Sequence, residues 1–319
     1  MFDGFANVWT IVGLARELPR DALRPLRVAG ERVVLFRDAD GKACALIDRC
    51  PHRGVALSLG KLCDGTLECP FHGWRFDGSG ANCHVPWNPD AKREQLGATA
   101  LPVREMAGLL WLYTGFEPTD EPQPSESLLQ PGVVLCAQSS MWNTHWTRAM
   151  ENMLDSPHLP FVHKATIGRF VSKHVGGRMD VSWTETPYGA KVESTMEDRE
   201  RQARLDYRAP NAMELFIDFG GRLFRFIAVC LPVDDSRTQL TIITMRNFAR
   251  WRGLDWYFRR SNRKIADEDK AILESSDPVE VPSAAQEKSV RTDKPTLAFR
   301  KLYFERFKDS SAQPPRPAA

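Results

Sequence analysis

CPHRGVALSLGKLCDGTLECPFHGW, residues 50–74, holds two cysteine–histidine pairs: Cys50 with His52 and, after sixteen intervening residues, Cys69 with His72. Each pair lies in a loop flanked by proline and glycine beside a strand-like segment, so two loop tips can close on one metal centre. Two chemistries suit these four donors. One is a zinc knuckle with Cys₂His₂ ligation. The other is a [2Fe–2S] cluster with two thiolates on one iron and two imidazoles on the other, whose potential lies above that of four-cysteine clusters. Zinc units usually space their pairs as C-x₂₋₄-C, and a C-x-H pair followed by C-x-x-H is uncommon for them. The other cysteines, Cys44, Cys63, Cys83, Cys136 and Cys230, lie outside the pattern and read as core or surface thiols.

Around these loops, residues 30–115 read as short strands. Residues 33–36 and 43–47 flank Asp40-Gly41, a strong hairpin signal. Residues 74–76 run into the turn Asp77-Gly78-Ser79-Gly80, and 109–113 form a further apolar strand. Residues 117–131, EPTDEPQPSESLLQP, are rich in proline and acid and read as a linker. Beyond it, 142–153 suit a helix, and strands return near 213–219, 223–230 and 240–245, with apolar residues on one face. Leu215, Ile217, Phe219, Phe224 and Phe226 in that region suit a mainly apolar cavity, and equally any sheet core. A long helix follows over about 254–274, and 309–319 read as a disordered tail. There is no internal repeat.

Length and composition bound the rest. The chain has 319 residues, enough for one large domain or two modest ones with real cores. A formal net charge of +2 is too small to imply nucleic acid or an anionic membrane as the main partner. The first residues carry an early Asp3, no basic leader and too short an apolar run for a signal peptide or membrane span. Seven cysteines, an odd number, point to metal binding and free thiols in a cytoplasmic protein rather than to a disulfide framework.

The second stretch of interest is ENMLDSPHLPFVH, residues 151–163. Asn152, Asp155, His158 and His163 fall close together, and two imidazoles with one carboxylate leave an iron open positions for O₂ and substrate. Asp155 and His158, three apart, would share a face of a helical turn. His158 and His163, five apart, would diverge on a straight helix, but Pro160 between them can kink or break it. The plainer reading is a helix start with Ser156 as N-cap, Pro157 at N1 and histidines that only pack. His84, His145 and His174 have no partner spacing and read as structural or solvent-facing.

CPHRG at 50–54 and CPFHGW at 69–74 resemble the two loops of a Rieske domain, and ENMLDSPHLPFVH resembles the mononuclear-iron motif of Rieske non-haem iron oxygenases. The likeness spans nearly the whole chain. It implies an α+β architecture: an all-β Rieske [2Fe–2S] domain over 1–116, the linker 117–131, and a helix-grip-type catalytic domain with an antiparallel sheet over 132–308. Cys50, His52, Cys69 and His72 would be cluster ligands. Val55 and Phe71 stand where high-potential Rieske proteins carry a disulfide, so the match is to the ferredoxin and oxygenase branch.

The family's iron site takes a second carboxylate from much later in the chain. On the helix 254–274, Phe258, Ile265 and Ile272 form an apolar stripe. Measured from Ile265, Asp269 falls roughly 40° away, on the stripe, and Asp267 about 200° away, on the outer face. A core-facing aspartate must be paired or metal-bound. Asp269 is therefore the expected third ligand beside His158 and His163, with Asp267 the fallback. The resemblance also implies that Asp155 bridges His72 of one subunit to His158 of the next in a ring-shaped homotrimer, and that Asn152 adjusts hydrogen bonding near the iron. The implied activity is that of an oxygenase component. It would use mononuclear Fe(II) and O₂ to hydroxylate, or N- or O-demethylate, a small, mainly apolar organic substrate. A cis-dihydroxylating dioxygenase is the alternative within the family; a Rieske electron carrier or redox sensor, or a zinc-stabilised binding protein, is the alternative of another class.

There is no G-x-G-x-x-G after a strand and no P-loop. Electrons would come from NADH or NADPH through a separate ferredoxin or flavin reductase. The basic, aromatic run 246–264 could dock an acidic ferredoxin or stack a nucleic-acid strand; most often such a run is the solvated side of an amphipathic helix. Residues 291–307 read the same way, as a C-terminal helix opening near Pro295.

Overall fold

The computed structural model of the chain describes residues 1–170, 175–197 and 203–308; His174 and the expected tail, 309–319, lie outside the described residues. The chain divides into two compact units, Met1–Pro124 and Ser125–Ala319, at a point inside the proline-rich stretch 117–131. The second half of that stretch is packed rather than free, with Ser125, Ser127 and Leu128 buried.

The first unit is built from small antiparallel sheets. Glu31–Arg37 pairs with Ala43–Ile47 across the Asp40-Gly41 turn, and Arg24–Val28 and Ala100–Leu101 close that sheet on either side. A second sheet joins Trp9–Leu14, Leu109–Tyr113 and Val103–Met106. A third, of strands Lys61–Cys63, Thr66–Glu68, Arg75–Phe76 and Asn82–His84, carries the loop of the second cysteine–histidine pair. Val34, Phe36, Leu46, Leu57, Leu67 and Phe76 make one core, and Cys50 and Cys69 belong to it.

The second unit is dominated by a seven-stranded antiparallel sheet. Its order is Val134–Trp142, Arg237–Arg246, Arg222–Asp234, Ala212–Phe219, Ala203–Arg208, Gly189–Met196 and Met179–Thr186. Four of these strands were not legible as strands. Gly189–Met196 and Ala203–Arg208 alternate charged residues such as Lys191, Glu193, Arg204 and Asp206 with apolar ones, a period of two carried by short segments only. The expected helix 142–153 is shorter at its start: Trp142 still pairs with Thr238 in the sheet, and helix α1 runs Trp146–Leu154. Its buried Trp146 meets Phe299, Tyr303 and Phe307 edge-on. Helix α2 is the single turn Leu159–Val162, α3 spans Asp255–Leu273, and α4 spans Lys294–Tyr303 with Pro295 in its first turn.

Strand alternation fixes where the helices lie. Thr244, Phe226, Leu215 and Leu205 stand side by side across four strands and share one face. The Thr244 hydroxyl accepts a bond of 2.8 Å from Asn262 Nδ2 of α3, and Ser194, on the same face, donates to Ser156 beside α2 at 3.3 Å. Helices α2 and α3 therefore cover this face. The basic run at 246–264 is only partly a solvated helix side. Arg246 is fully buried, bonded to Asp255 at 2.6 Å and stacked 4.3 Å from the Phe258 ring centroid, while Trp251, Trp256 and Tyr257 are exposed.

Candidate metal centres

The two cysteine–histidine loops close in the same way. Cys50 N donates to Val55 O and Gly54 N to Cys50 O, both at 2.8 Å; Cys69 N donates to Trp74 O at 2.8 Å and Gly73 N to Cys69 O at 3.1 Å. Gly54 and Gly73 adopt φ of 72° and 70°, where a side chain would be strained. Asp48, itself buried, braces the first loop by accepting from the Ser58 amide and hydroxyl at 2.7 Å each. The donors come together in like pairs. Cys50 and Cys69 are each 2% exposed and neighbour one another, and burial first, then the Cys69 thiol, pushes Cys50 up to about 11. The His52 and His72 rings sit 4.6 Å apart, and His52 lies flat on Trp74 at 4.5 Å. His52 Nδ1 is buried without a partner, whereas the His72 residue is exposed. A pair of neighbouring thiols, a pair of neighbouring imidazoles and a buried, unpartnered ring nitrogen on one of them fit a cluster with mixed ligation.

In the second unit, α1 delivers Asp155 at its C-terminal end, and His158 and His163 flank α2. Pro160 does not break that helix; it sits in its first turn. The five-residue spacing works because α2 is one turn long and His163, at φ −94° and ψ 32°, has already left the helix. Asp155 and His158 likewise belong to the connection between helices rather than to one helical face. Asp269 comes from α3 and is 4% exposed, whereas Asp267 is exposed. The stripe used to find it is displaced, however. The buried line is Asn262, Ala266 and Asp269, and Ile272 is 55% exposed.

His158 Nε2, His163 Nε2 and one Asp269 oxygen lie within 4.8 Å of one another. Asp269 Oδ1 is 3.1 Å from His163 Nε2 and 3.6 Å from His158 Nε2, yet it is buried with no hydrogen bond. The two Nε2 atoms are 3.3 Å apart, so the three donor atoms make one tight cluster. That is a donor set for a first-row transition metal such as Fe(II), with room on the side opposite the protein.

Each imidazole is oriented from behind by a carboxylate. Asp155 Oδ2 lies 3.2 Å from His158 Nδ1 and also accepts from the His158 amide at 3.2 Å. Glu268 Oε2 lies 2.8 Å from His163 Nδ1 and accepts from Thr166 Oγ1 at 2.6 Å. Burial opposes a charge on His163, but Asp269 and Glu268 on its two nitrogens raise its pKa above the ordinary value. Glu268 and Thr166 were missed in the sequence. The available signal was the need of a buried, metal-facing imidazole for an acceptor on its other nitrogen. Asn152 makes no side-chain hydrogen bond to the three donors, and its Nδ2 is buried without a partner. His84 is exposed, and His145 is buried with Nδ1 2.7 Å from the Thr147 hydroxyl.

Comparison with known proteins bears on both centres. Residues 8–101 match the family model of the Rieske [2Fe-2S] domain, and 142–306 match that of the vanillate O-demethylase oxygenase C-terminal domain. Methylxanthine N3-demethylase NdmB of Pseudomonas putida is 30% identical over 295 residues, covering 86% of this chain and 81% of that protein. Chlorophyllide a oxygenase of Chlamydomonas reinhardtii is 33% identical over 192 residues, 58% of this chain, and the chain spans only 30% of that longer protein. Dicamba monooxygenase bound to dicamba has the same fold, with a TM-score of 0.81 at 20% identity over 96% of this chain and 98% of that one. With a Rieske domain followed by an oxygenase C-terminal domain, and a relative matched over most of both lengths, the chain belongs to the Rieske non-haem iron oxygenases.

Proposed function

We propose that this chain is an oxygenase component that hydroxylates a small organic substrate, preferentially at an N- or O-methyl group, which is then lost as formaldehyde. The observation that carries the reading is the convergence of His158, His163 and Asp269 on one point, with a carboxylate behind each imidazole. The match to an O-demethylase C-terminal domain and the likeness to an N-demethylase favour monooxygenation over cis-dihydroxylation. A second unit with its own metal-ligand set weighs against a bare electron carrier.

Cys50, Cys69, His52 and His72 would hold the cluster, and His158, His163 and Asp269 the mononuclear iron. When bound, these groups supply single electrons and an O₂-activating centre respectively. The protein's own part is positional. Asp155 and Glu268 hold protons on the Nδ1 atoms of His158 and His163, which leaves each Nε2 lone pair directed at the metal position. The exposed His72 and the partly exposed Asp155 support the path His72, Asp155 of a neighbouring chain, His158, and with it a homotrimer. Electrons would arrive from NAD(P)H through a ferredoxin or flavin reductase. Among the described residues no helix is long and apolar enough to cross a membrane, and a cytoplasmic setting is part of the proposal.

The test is metal and sulfide content with substrate-dependent O₂ uptake. About three irons and two sulfides per chain are expected from the two ligand sets. Formaldehyde released with a surrogate reductase and a panel of methylated aromatic substrates would mark demethylation; a cis-diol product would overturn that preference. Zinc without sulfide would overturn the whole reading.

A further inference from the structure

The sheet of the second unit carries a cavity of about 490 Å³ that the iron chemistry does not use. Arg204, Phe216 and Arg225 are cross-strand neighbours on three adjacent strands, and all three line it. By strand alternation Arg225 points away from Phe226, and Phe216 away from Leu215. Their side chains therefore lie on the sheet face opposite Thr244, α3 and Asp269. The two guanidiniums stack on Phe216, at 4.3 Å for Arg204 and 4.7 Å for Arg225. The result is a row of one aromatic ring between two cationic planes, whose edges form the floor, walled by Gln130, Pro131 and the hairpin tip from Asp218 to Arg222.

The charges on this floor do not cancel. Arg204 is matched by a two-point bond to Asp206 at 2.9 Å. Asp218 also lines the cavity and acts on Arg225 through its charge. Arg225 is pinned by bonds from Nη1 to the carbonyls of Ile217 and Phe224, while its Nε is buried with no acceptor. Neither Arg222 nor Arg225 has an ion pair among the described residues. A buried guanidinium N–H without a partner is costly, and an incoming oxygen anion would relieve that cost. Glu214, fully buried on the same face, also acts on Arg225 and is paired with Arg208 at 3.6 Å, so among the described residues the cavity keeps two guanidiniums, of Arg222 and Arg225, without an ion pair.

We propose that this cavity is a binding site for a small aromatic carboxylate, separate from the iron centre. The ring lies over the open edge of the Arg204–Phe216–Arg225 row, and the carboxylate accepts from Arg225 and, at the mouth, from Arg222. This assignment does not depend on which reaction the iron centre performs.

The test is calorimetric titration of the metal-loaded protein with benzoate and, in parallel, with the uncharged isostere benzamide. Benzoate is expected to bind at least tenfold more tightly than benzamide. Arg225→Met is expected to weaken benzoate at least tenfold while iron and sulfide content and the melting curve stay those of the parent. Arg222→Met, at the exposed mouth, should weaken it several-fold and decides the matter if Arg225→Met does not fold. Failure of benzoate to bind, equal affinity for benzamide, or parental benzoate affinity in the folded arginine variants would overturn the assignment.

Discussion

Glu268→Ala should cut the affinity for the mononuclear iron about 10–100-fold while leaving the [2Fe–2S] content intact. The magnitude follows from what the carboxylate holds. His163 is 2% exposed, so removing Glu268 leaves a buried Nδ1–H without its acceptor at 2.8 Å, and the Thr166 hydroxyl loses its acceptor at 2.6 Å. A buried donor left unpaired costs about 1–3 kcal/mol, or roughly 5–150-fold in an equilibrium constant, the same range as the metal-affinity estimate. The imidazole also becomes free to rotate and to take the tautomer that puts its proton on Nε2, which blocks the metal. Glu268→Gln keeps a carbonyl acceptor and should cost only a few-fold. The assay is anaerobic Fe(II) titration against a competing chelator, with the cluster's visible absorbance as an internal control on folding. Parental Fe(II) affinity in Glu268→Ala would refute the reasoning. So would loss of both metals together, because Glu268 would then be supporting the fold rather than the ligand.

Four other outcomes are expected. Asp269→Ala should lower the iron content from about three to about two per chain with sulfide unchanged, whereas the exposed Asp267→Ala should change neither. Asp155→Ala should keep both metal centres but slow oxidation of the reduced cluster by O₂ and substrate in a single-turnover experiment; unchanged kinetics would remove Asp155 from the electron path. Arg300→Met takes from Glu151, which is 9% exposed, its two-point partner and leaves only Arg148 at 3.4 Å, and should destabilise the second unit by up to about 3–5 kcal/mol, read as a fall in the melting midpoint. Glu287 is held below the ordinary carboxylate range, first by Arg148 and also by Arg300, against the opposing effect of burial. A lowered folded pKa contributes stability that is present above the unfolded value and lost as pH falls through the folded one. The melting gap between the parent and Glu287→Gln should therefore be open at neutral pH and close in acid.

Much of the site was legible in the chain because its parts are local. Cys50 with His52 and Cys69 with His72 each occupy a single loop, and the glycines that let those loops turn, Gly54 and Gly73, stand in the same short motifs. His158 and His163 flank one helical turn. Asp269 lies more than a hundred residues further on, yet helical periodicity separated it from Asp267, since one residue's shift turns a side chain by about 100°. That inference picked a buried residue from a stripe drawn to one side of the buried one, a tolerance that comes from the width of a helix face.

What the chain alone could not decide are the relations between segments with no shared period. Glu268 neighbours Asp269 in sequence but becomes meaningful only when α3 is laid beside α2, bringing its carboxylate to His163. Arg204, Phe216 and Arg225 sit on three different strands, and only the register of those strands makes them one stacked row. The strands carrying Lys191, Glu193, Arg204 and Asp206 alternate charged and apolar residues, but only the sheet shows which strands they pair with. Sequence thus determined which side chains can bind metal and on which local turns they stand. Tertiary structure decided which second carboxylate holds each ligand and which face of the sheet each side chain meets, because those contacts depend on packing distances that no local rule specifies.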